Sequence, residues 1–287
     1  MTPAKTMDPV VNPSNEETRF GFGKNWTRFL ICLDEERIQE AENSLKSMLQ
    51  VENLAGQSFL DIGCGSGLFS LAAMRLGARR VHSLDYDPQS VACAHELKRR
   101  YFPEAGHWTV EQGNVLDAQY LSRLGKYDVV YAWGVLHHTG NMWQALENVL
   151  LPVASDGRLF VAIYNDQGAR SRVWMRIKKA YNRNVFWRAA IVSFFAVYYG
   201  VRLPIHDLVR LKNPVARYRE YRKARGMSYL TDLLDWLGGY PFEVAKREAV
   251  IEFFRQRNFA LSKLSSAGDG TGNNEFVFCR SAPSNQQ

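Results

Sequence analysis

Two short stretches of this 287-residue chain carry residue types at spacings that suit chemistry. The first is Leu136-His137-His138-Thr139, which directly follows the β-rich run Tyr127–Trp133. An imidazole with an ordinary pKa of about 6.5 can take a proton from an alcohol or phenol. A carboxylate that orients the ring would help, and Asp166, at the end of the next apolar run, is placed to supply one. Adjacent residues on an extended segment point opposite ways, so one of His137 and His138 is expected to face a substrate. The plainer alternative is an exposed loop histidine with Asp166 as a turn residue. No third ligand stands at a recognisable spacing, so a metal site is not expected.

The second stretch is Ser58-Phe-Leu-Asp61-Ile-Gly63-Cys64-Gly65-Ser-Gly67. An apolar run ends at three alternate glycines and is followed by the helical pattern Leu68–Leu76, which makes a strand–loop–helix unit. Glycines let the backbone turn tightly and leave no Cβ between loop and ligand. A dinucleotide fingerprint requires Gly-x-Gly-x-x-Gly, with a pyrophosphate on the helix N-terminus. Here the spacing is Gly-x-Gly-x-Gly, and Asp61 would repel a pyrophosphate but could pair with an ammonium. That favours S-adenosylmethionine over NAD. Twenty-four positions on, Asp85 ends a second strand, where a carboxylate can accept from both hydroxyls of a ribose.

The run Asp61–Gly67 resembles motif I of the class I S-adenosylmethionine-dependent methyltransferases, and the similarity extends in register from about Phe59 to Tyr164. The resemblance implies an α/β, Rossmann-like seven-stranded sheet of order 3-2-1-4-5-7-6, the last strand antiparallel, with a helical insertion after strand five. It implies cofactor contacts at Asp61, Gly63, Cys64, Gly65, Gly67, Asp85, Tyr86, Asn114, Val115 and Trp133. Tyr86 would pack on the adenine. Asn114 stands where the family usually has Asp, and its amide oxygen can still accept from the adenine amino group. His137, His138 and Asp166 are similar to the His/Asp pair of small-molecule and sugar O-methyltransferases. Transfer to a hydroxyl of a sugar, a phenol or quinone, or a lipid-linked compound is the activity implied, with S-adenosylhomocysteine as product. Gly134–Thr139 also resembles tRNA wobble-uridine modifying methyltransferases, which keeps RNA as a second acceptor class. A nucleotide-binding scaffold without catalysis is the reading from another class.

The elements that must hold these residues can be read in order. Residues 1–17 are polar and expected to form a disordered tail. Residues 18–166 and 241–281 form the cofactor-binding domain, and residues 167–240 form a basic helical insertion. Phe22, Lys24 and Trp26 are either a lid over the ligands or the lead-in to a helix. Asp34 is a fair N-cap for a helix to Gln50, and Asp87-Pro88 opens another. Strands are expected at 58–62, 80–84, 107–111, 127–133, 158–164, 260–264 and 275–280. Turns are expected at Ser155-Asp156-Gly157 and in the Gly/Asn-rich stretch Ser265–Asn274. A helix is expected over Val244–Asn258.

With 46% hydrophobic residues the chain can bury a full core. Its four scattered cysteines read as free thiols in a reducing compartment, and a cytoplasmic chain is expected. The net charge of +7 is uneven: Arg170–Arg225 holds 15 Lys/Arg against Asp207 and Glu220, so the remainder of the chain is net acidic. The middle of that segment, Val185–Val201, is apolar nearly all round. It is expected to be buried against protein or partly in a membrane interface. Its longest uncharged run, Ala189–Val201, is 13 residues, too short for a hydrocarbon core of roughly 30 Å. Three readings of the basic flank compete: a solvated cover over the site, recognition of an anionic or lipid-linked acceptor, and an RNA footprint with interleaved Trp174, Tyr181, Trp187, Tyr218 and Tyr221.

Overall fold

The computed structural model describes residues 23–210, 229–268, 270 and 272–280. The N-terminal tail, Phe22, Tyr218 and Tyr221 lie outside the described residues, as do the insertion arginines Arg217, Arg219 and Arg222. Seven strands form one sheet: β1 (Ser58–Ile62), β2 (Arg80–Asp85), β3 (Trp108–Gln112), β4 (Tyr127–Trp133), β5 (Val153–Tyr164), β6 (Phe259–Ser265) and β7 (Asn273–Arg280). Their order is β3-β2-β1-β4-β5-β7-β6. The first five pair in parallel, and β7 runs antiparallel to both of its neighbours. The fold expected from the sequence is the fold observed, including helices inserted after the fifth strand.

Parallel strands need cover on both faces, and the pleat alternates the side chains between two cores. Phe59, Val129, Tyr131 and Phe160 point into one, beneath α2 (Glu35–Leu49), α3 (Leu68–Arg75) and α4 (Pro88–Tyr101). Leu60, Val130, Leu159 and Val161 point into the other, beneath α6 (Met142–Asn148) and α10 (Arg247–Arg255). Asp34 caps α2 through Arg37 N, and Asp87 caps α4 through Gln89 N with Pro88 at the first helical position. The remaining helices are α1 (Gly23–Ile31), α5 (Ala118–Arg123), α7 (Ala169–Arg183), α8 (Val185–Val209) and α9 (Tyr229–Gly238).

Three local expectations are corrected. Ser155-Asp156-Gly157 lies inside β5, because β5 starts at Val153 and takes up the irregularity by shifting its register opposite Tyr127 and Val129. The helix expected over Val244–Asn258 is confined to Arg247–Arg255: Ala245 is drawn into a parallel bridge with Asn165. The apolar helix is longer than its pattern indicated, running to Val209, and it is not largely buried. One side packs Ile191, Phe195 and Tyr199 into a third small core with Trp174, Ile177, Tyr181, Leu233 and Leu237. The other side is exposed, because α7 and α9 cover only one flank of a helix that is apolar on both.

Candidate active site

The carboxyl ends of β1, β2 and β4 meet at the glycine loop. Gly63, Gly65 and Gly67 all have left-handed φ values, 74°, 55° and 82°, which other residues adopt only with strain. Space is equally tight: a Cβ on Gly63 would collide with Val135, and one on Gly65 would lie 2.7 Å from Trp26 Cε2. Trp26, on α1, therefore lies on the loop. α1 is anchored there by Gly23 N donating to Asp87 Oδ2 at 2.9 Å. Gly67 opens α3 without any side-chain cap, so that helix end presents its first backbone N–H groups to the loop.

Asp85, on the end of β2, accepts from Gly65 N at 2.9 Å and from Asp87 N at 2.9 Å. Asn114 Oδ1 accepts from Leu116 N, Val115 is buried, and Tyr86 and Trp133 are exposed. Trp133 Nε1 donates to Glu275 at 2.7 Å. Cys64 is buried, and burial pushes its thiol well up.

Asp61 lies buried in β1. It is 2% exposed and accepts from Ser70 Oγ at 2.6 Å. Ser70 accepts in turn from Ser83 Oγ at 2.6 Å, and Ser83 from Trp108 Nε1 at 2.8 Å. Asp61 thus ends a buried relay across β3, β2 and α3. Burial raises its pKa to about 7, helped by the charge of Asp85.

The histidines differ from expectation. Leu136–His138 is a single 3₁₀ turn and not an extended segment, so the two rings are neighbours 4.5 Å apart, both buried. His138 Nδ1 lies 2.6 Å from the Pro241 carbonyl oxygen. A carbonyl only accepts, so Nδ1 carries a proton, and in the neutral ring Nε2 is then the basic nitrogen. His137 is 0% exposed, and neither ring nitrogen has a hydrogen-bond partner. Burial holds its pKa well below the usual range, and His138 and Lys178 push the same way. Asp166 orients neither ring: its Oδ1 accepts from Gly168 N at 2.8 Å, closing the turn into α7. The turn is fixed instead by residues 241–243. Beyond the Pro241 contact, Glu243 N donates to the His137 carbonyl, and the Glu243 carboxylate accepts from Met142 N at the start of α6.

Around the histidines stands an aromatic wall that the sequence did not disclose. The ring of Tyr164 lies 4.0 Å from His137, 5.5 Å from Trp236 and 5.2 Å from Phe242, centre to centre. Lys178 reaches into it from α7. Its Nζ donates to the Trp236 carbonyl and lies 4.1 Å from the centre of the Trp236 ring. Burial lowers its pKa to about 7. The available signal was a lysine on an apolar helical stripe, between Trp174 and Tyr181.

Among the described residues no three potential metal ligands cluster. The strained glycines, the uncapped helix end, Asp85 and Asn114 stand together at one end of the sheet. Residues 60–159 match the family described as Methyltransferase domain. The ribosomal protein L11 methyltransferase of Methylococcus capsulatus is 48% identical over 93 residues, 32% of this chain and 27% of that protein. That of Aeromonas salmonicida is 46% identical over 48 residues, 17% of this chain and 16% of that protein. The chain thus spans less than a third of the length of these curated relatives.

Among solved structures it is similar to magnesium protoporphyrin IX methyltransferase from Synechocystis PCC 6803 with bound SAH. The TM-score is 0.51 at 15% identity, covering 85% of this chain and 83% of that one. It is also similar to 1,6-didemethyltoxoflavin-N1-methyltransferase from Burkholderia thailandensis, with TM-score 0.51 at 12% identity, covering 98% and 94%. Residues 60–159 are a methyltransferase domain, and the sheet that contains them has the class I, S-adenosylmethionine-dependent methyltransferase fold.

Proposed function

We propose that this chain is an S-adenosylmethionine-dependent methyltransferase acting on a hydroxyl group of a small molecule, with His138 as the general base. The observation that carries the reading is the place of His138 at the carboxyl end of β4, with its Nδ1 held on the Pro241 carbonyl, so that in the neutral ring Nε2 is the basic nitrogen. The bound cofactor supplies an electrophilic methyl group on a positively charged sulfur. The protein's part is then to align an acceptor oxygen with that methyl and to remove one proton. Asp85 and Asn114 hold the nucleoside end, while Gly63, Gly65 and Gly67 allow close approach. His138 Nε2 takes the hydroxyl proton. Tyr164, Trp236 and Phe242 give an acceptor an apolar, aromatic surface, with the Lys178 amine at its back, only partly charged near neutrality.

The test is release of S-adenosylhomocysteine from purified protein across phenol, quinone, sugar and lipid-linked acceptors, with ribosomal protein L11 and tRNA included. Turnover on a hydroxyl compound that is lost in His138→Gln upholds the proposal. Turnover on protein or RNA alone, unaffected by that substitution, overturns it.

A further inference from the structure

We infer that α8 docks the protein on an anionic lipid bilayer, lying in the interface with its outer face in the acyl boundary. The inference is independent of which acceptor is methylated. Phe194, Val197, Val201, Ile205 and Leu208 recur at three- and four-residue spacing, and Trp187 stands two turns before Phe194, so that they form one stripe along the helix. All are more than half exposed: Phe194 is 63%, Val197 65% and Leu208 62%. An apolar stripe running the length of a 25-residue helix is far more than scattered surface hydrophobes.

The charge beside the stripe selects the occupant. α7, packed against α8 through the third core, carries exposed Arg172, Arg176, Lys179 and Arg183 at the same helical spacing, and α8 adds Arg188 and Arg202. On α7 and α8 the one acid is Asp207, and it is 2% exposed. An anionic bilayer offers both an apolar interior and a negative rim, each worth binding free energy to such a face. A second copy of this chain would bring the same cations together. RNA would meet the cations, but the aliphatic residues of the stripe have no ring face on which a base can stack.

By length and composition α8 is apolar enough to cross a membrane, but its packing favours lying flat. Ile191, Phe195 and Tyr199 on its inner side are packed into protein, and the uncharged run between Arg188 and Arg202 is short for crossing the hydrocarbon. The two arginines can hold their heads in the polar layer while their stems lie along the apolar surface.

The experiment is sedimentation of the full chain with phosphatidylcholine vesicles containing phosphatidylglycerol, and with phosphatidylcholine alone. Strong retention is expected only with the anionic vesicles, weakening as salt is raised. Val197→Glu combined with Val201→Glu, and separately Lys179→Glu combined with Arg183→Glu, should each lower the vesicle partition coefficient about tenfold or more. Binding of S-adenosylhomocysteine, measured by calorimetry, reports that the variants remain folded. The inference is overturned if the native chain stays in the supernatant with anionic vesicles, or if both folded variants sediment as well as it does. It is equally overturned if gel filtration shows a native dimer that Val197→Glu/Val201→Glu splits, or if single-stranded RNA binds the native chain while vesicles do not.

Discussion

The indole of Trp26 lies against Gly65 so closely that a Cβ built on the glycine would sit 2.7 Å from Trp26 Cε2. Helix α1 thereby reads the absence of a side chain in the loop, and the two residues form one packing unit. Gly65→Val should lower stability by about 1–3 kcal/mol through overpacking, with added strain from a φ of 55°. Trp26→Ala should relieve the overpacking part but not the strain. A double-mutant cycle by thermal denaturation measures the coupling. Zero coupling would mean that the contact carries no energy. S-adenosylhomocysteine affinity should fall at least several-fold in Gly65→Val, whatever the partner residue.

The locked tautomer of His138 makes a prediction that separates the two histidines. His138→Gln should lower turnover by roughly 10²–10⁴ with cofactor affinity unchanged. His137→Phe keeps a ring against Tyr164 and should leave most activity, because burial lowers the basicity of His137 and shuts its ring away from an acceptor. Steady-state kinetics beside calorimetry distinguishes the pair, and the reverse ranking would assign the base to His137.

Asp61 makes stability depend on pH in the acidic range. Its folded pKa is raised to about 7 from an unfolded value of about 3.9. The folded state therefore holds the extra proton between those values, and stability falls as pH rises from about 4 to about 7, by at most about 4 kcal/mol. Asp61→Asn retains an acceptor for Ser70 and should flatten that slope in melting temperatures taken from pH 4.5 to 7.5.

Lys178 has the opposite slope in a different window. Its folded pKa is lowered to about 7 from about 10.4, so the folded state binds fewer protons in between and stability rises as pH increases from about 7 to about 10. Together the two groups place a trough in stability near neutrality. Lys178→Met should raise the melting temperature at pH 7 and remove the alkaline rise.

The fold was legible because its signals are local. The apolar run into Gly63, Gly65 and Gly67 and the caps at Asp34 and Asp87 act on neighbours within a few residues. The strand order followed from the resemblance those local motifs carry. The histidine turn was not legible in the same way. Its restraints come from Pro241 and Glu243, about a hundred residues along the chain, and Gly134 adopts a φ of 73° that bends the segment away from the extended form. The buried serine partner of Asp61 was not legible either, because a carboxylate beside a glycine loop looks the same in sequence with or without one. Tyr164, Trp236 and Phe242 come from three separate segments, so nothing in the order of residues announces that their rings meet.

The bridge between Asn165 and Ala245 has a consequence for how such a chain can be altered. Asp166 N donates to the Ala245 carbonyl and Ala245 N to the Tyr164 carbonyl, so the chain leaves and rejoins the sheet at one point. With both ends of the excursion already pinned side by side, its length costs the rest of the fold little, since closure entropy grows only with the logarithm of loop size. The excursion is in effect a cassette on a hinge-free mount. It can be lengthened, shortened or exchanged in evolution or at the bench while the strands beneath it keep their register.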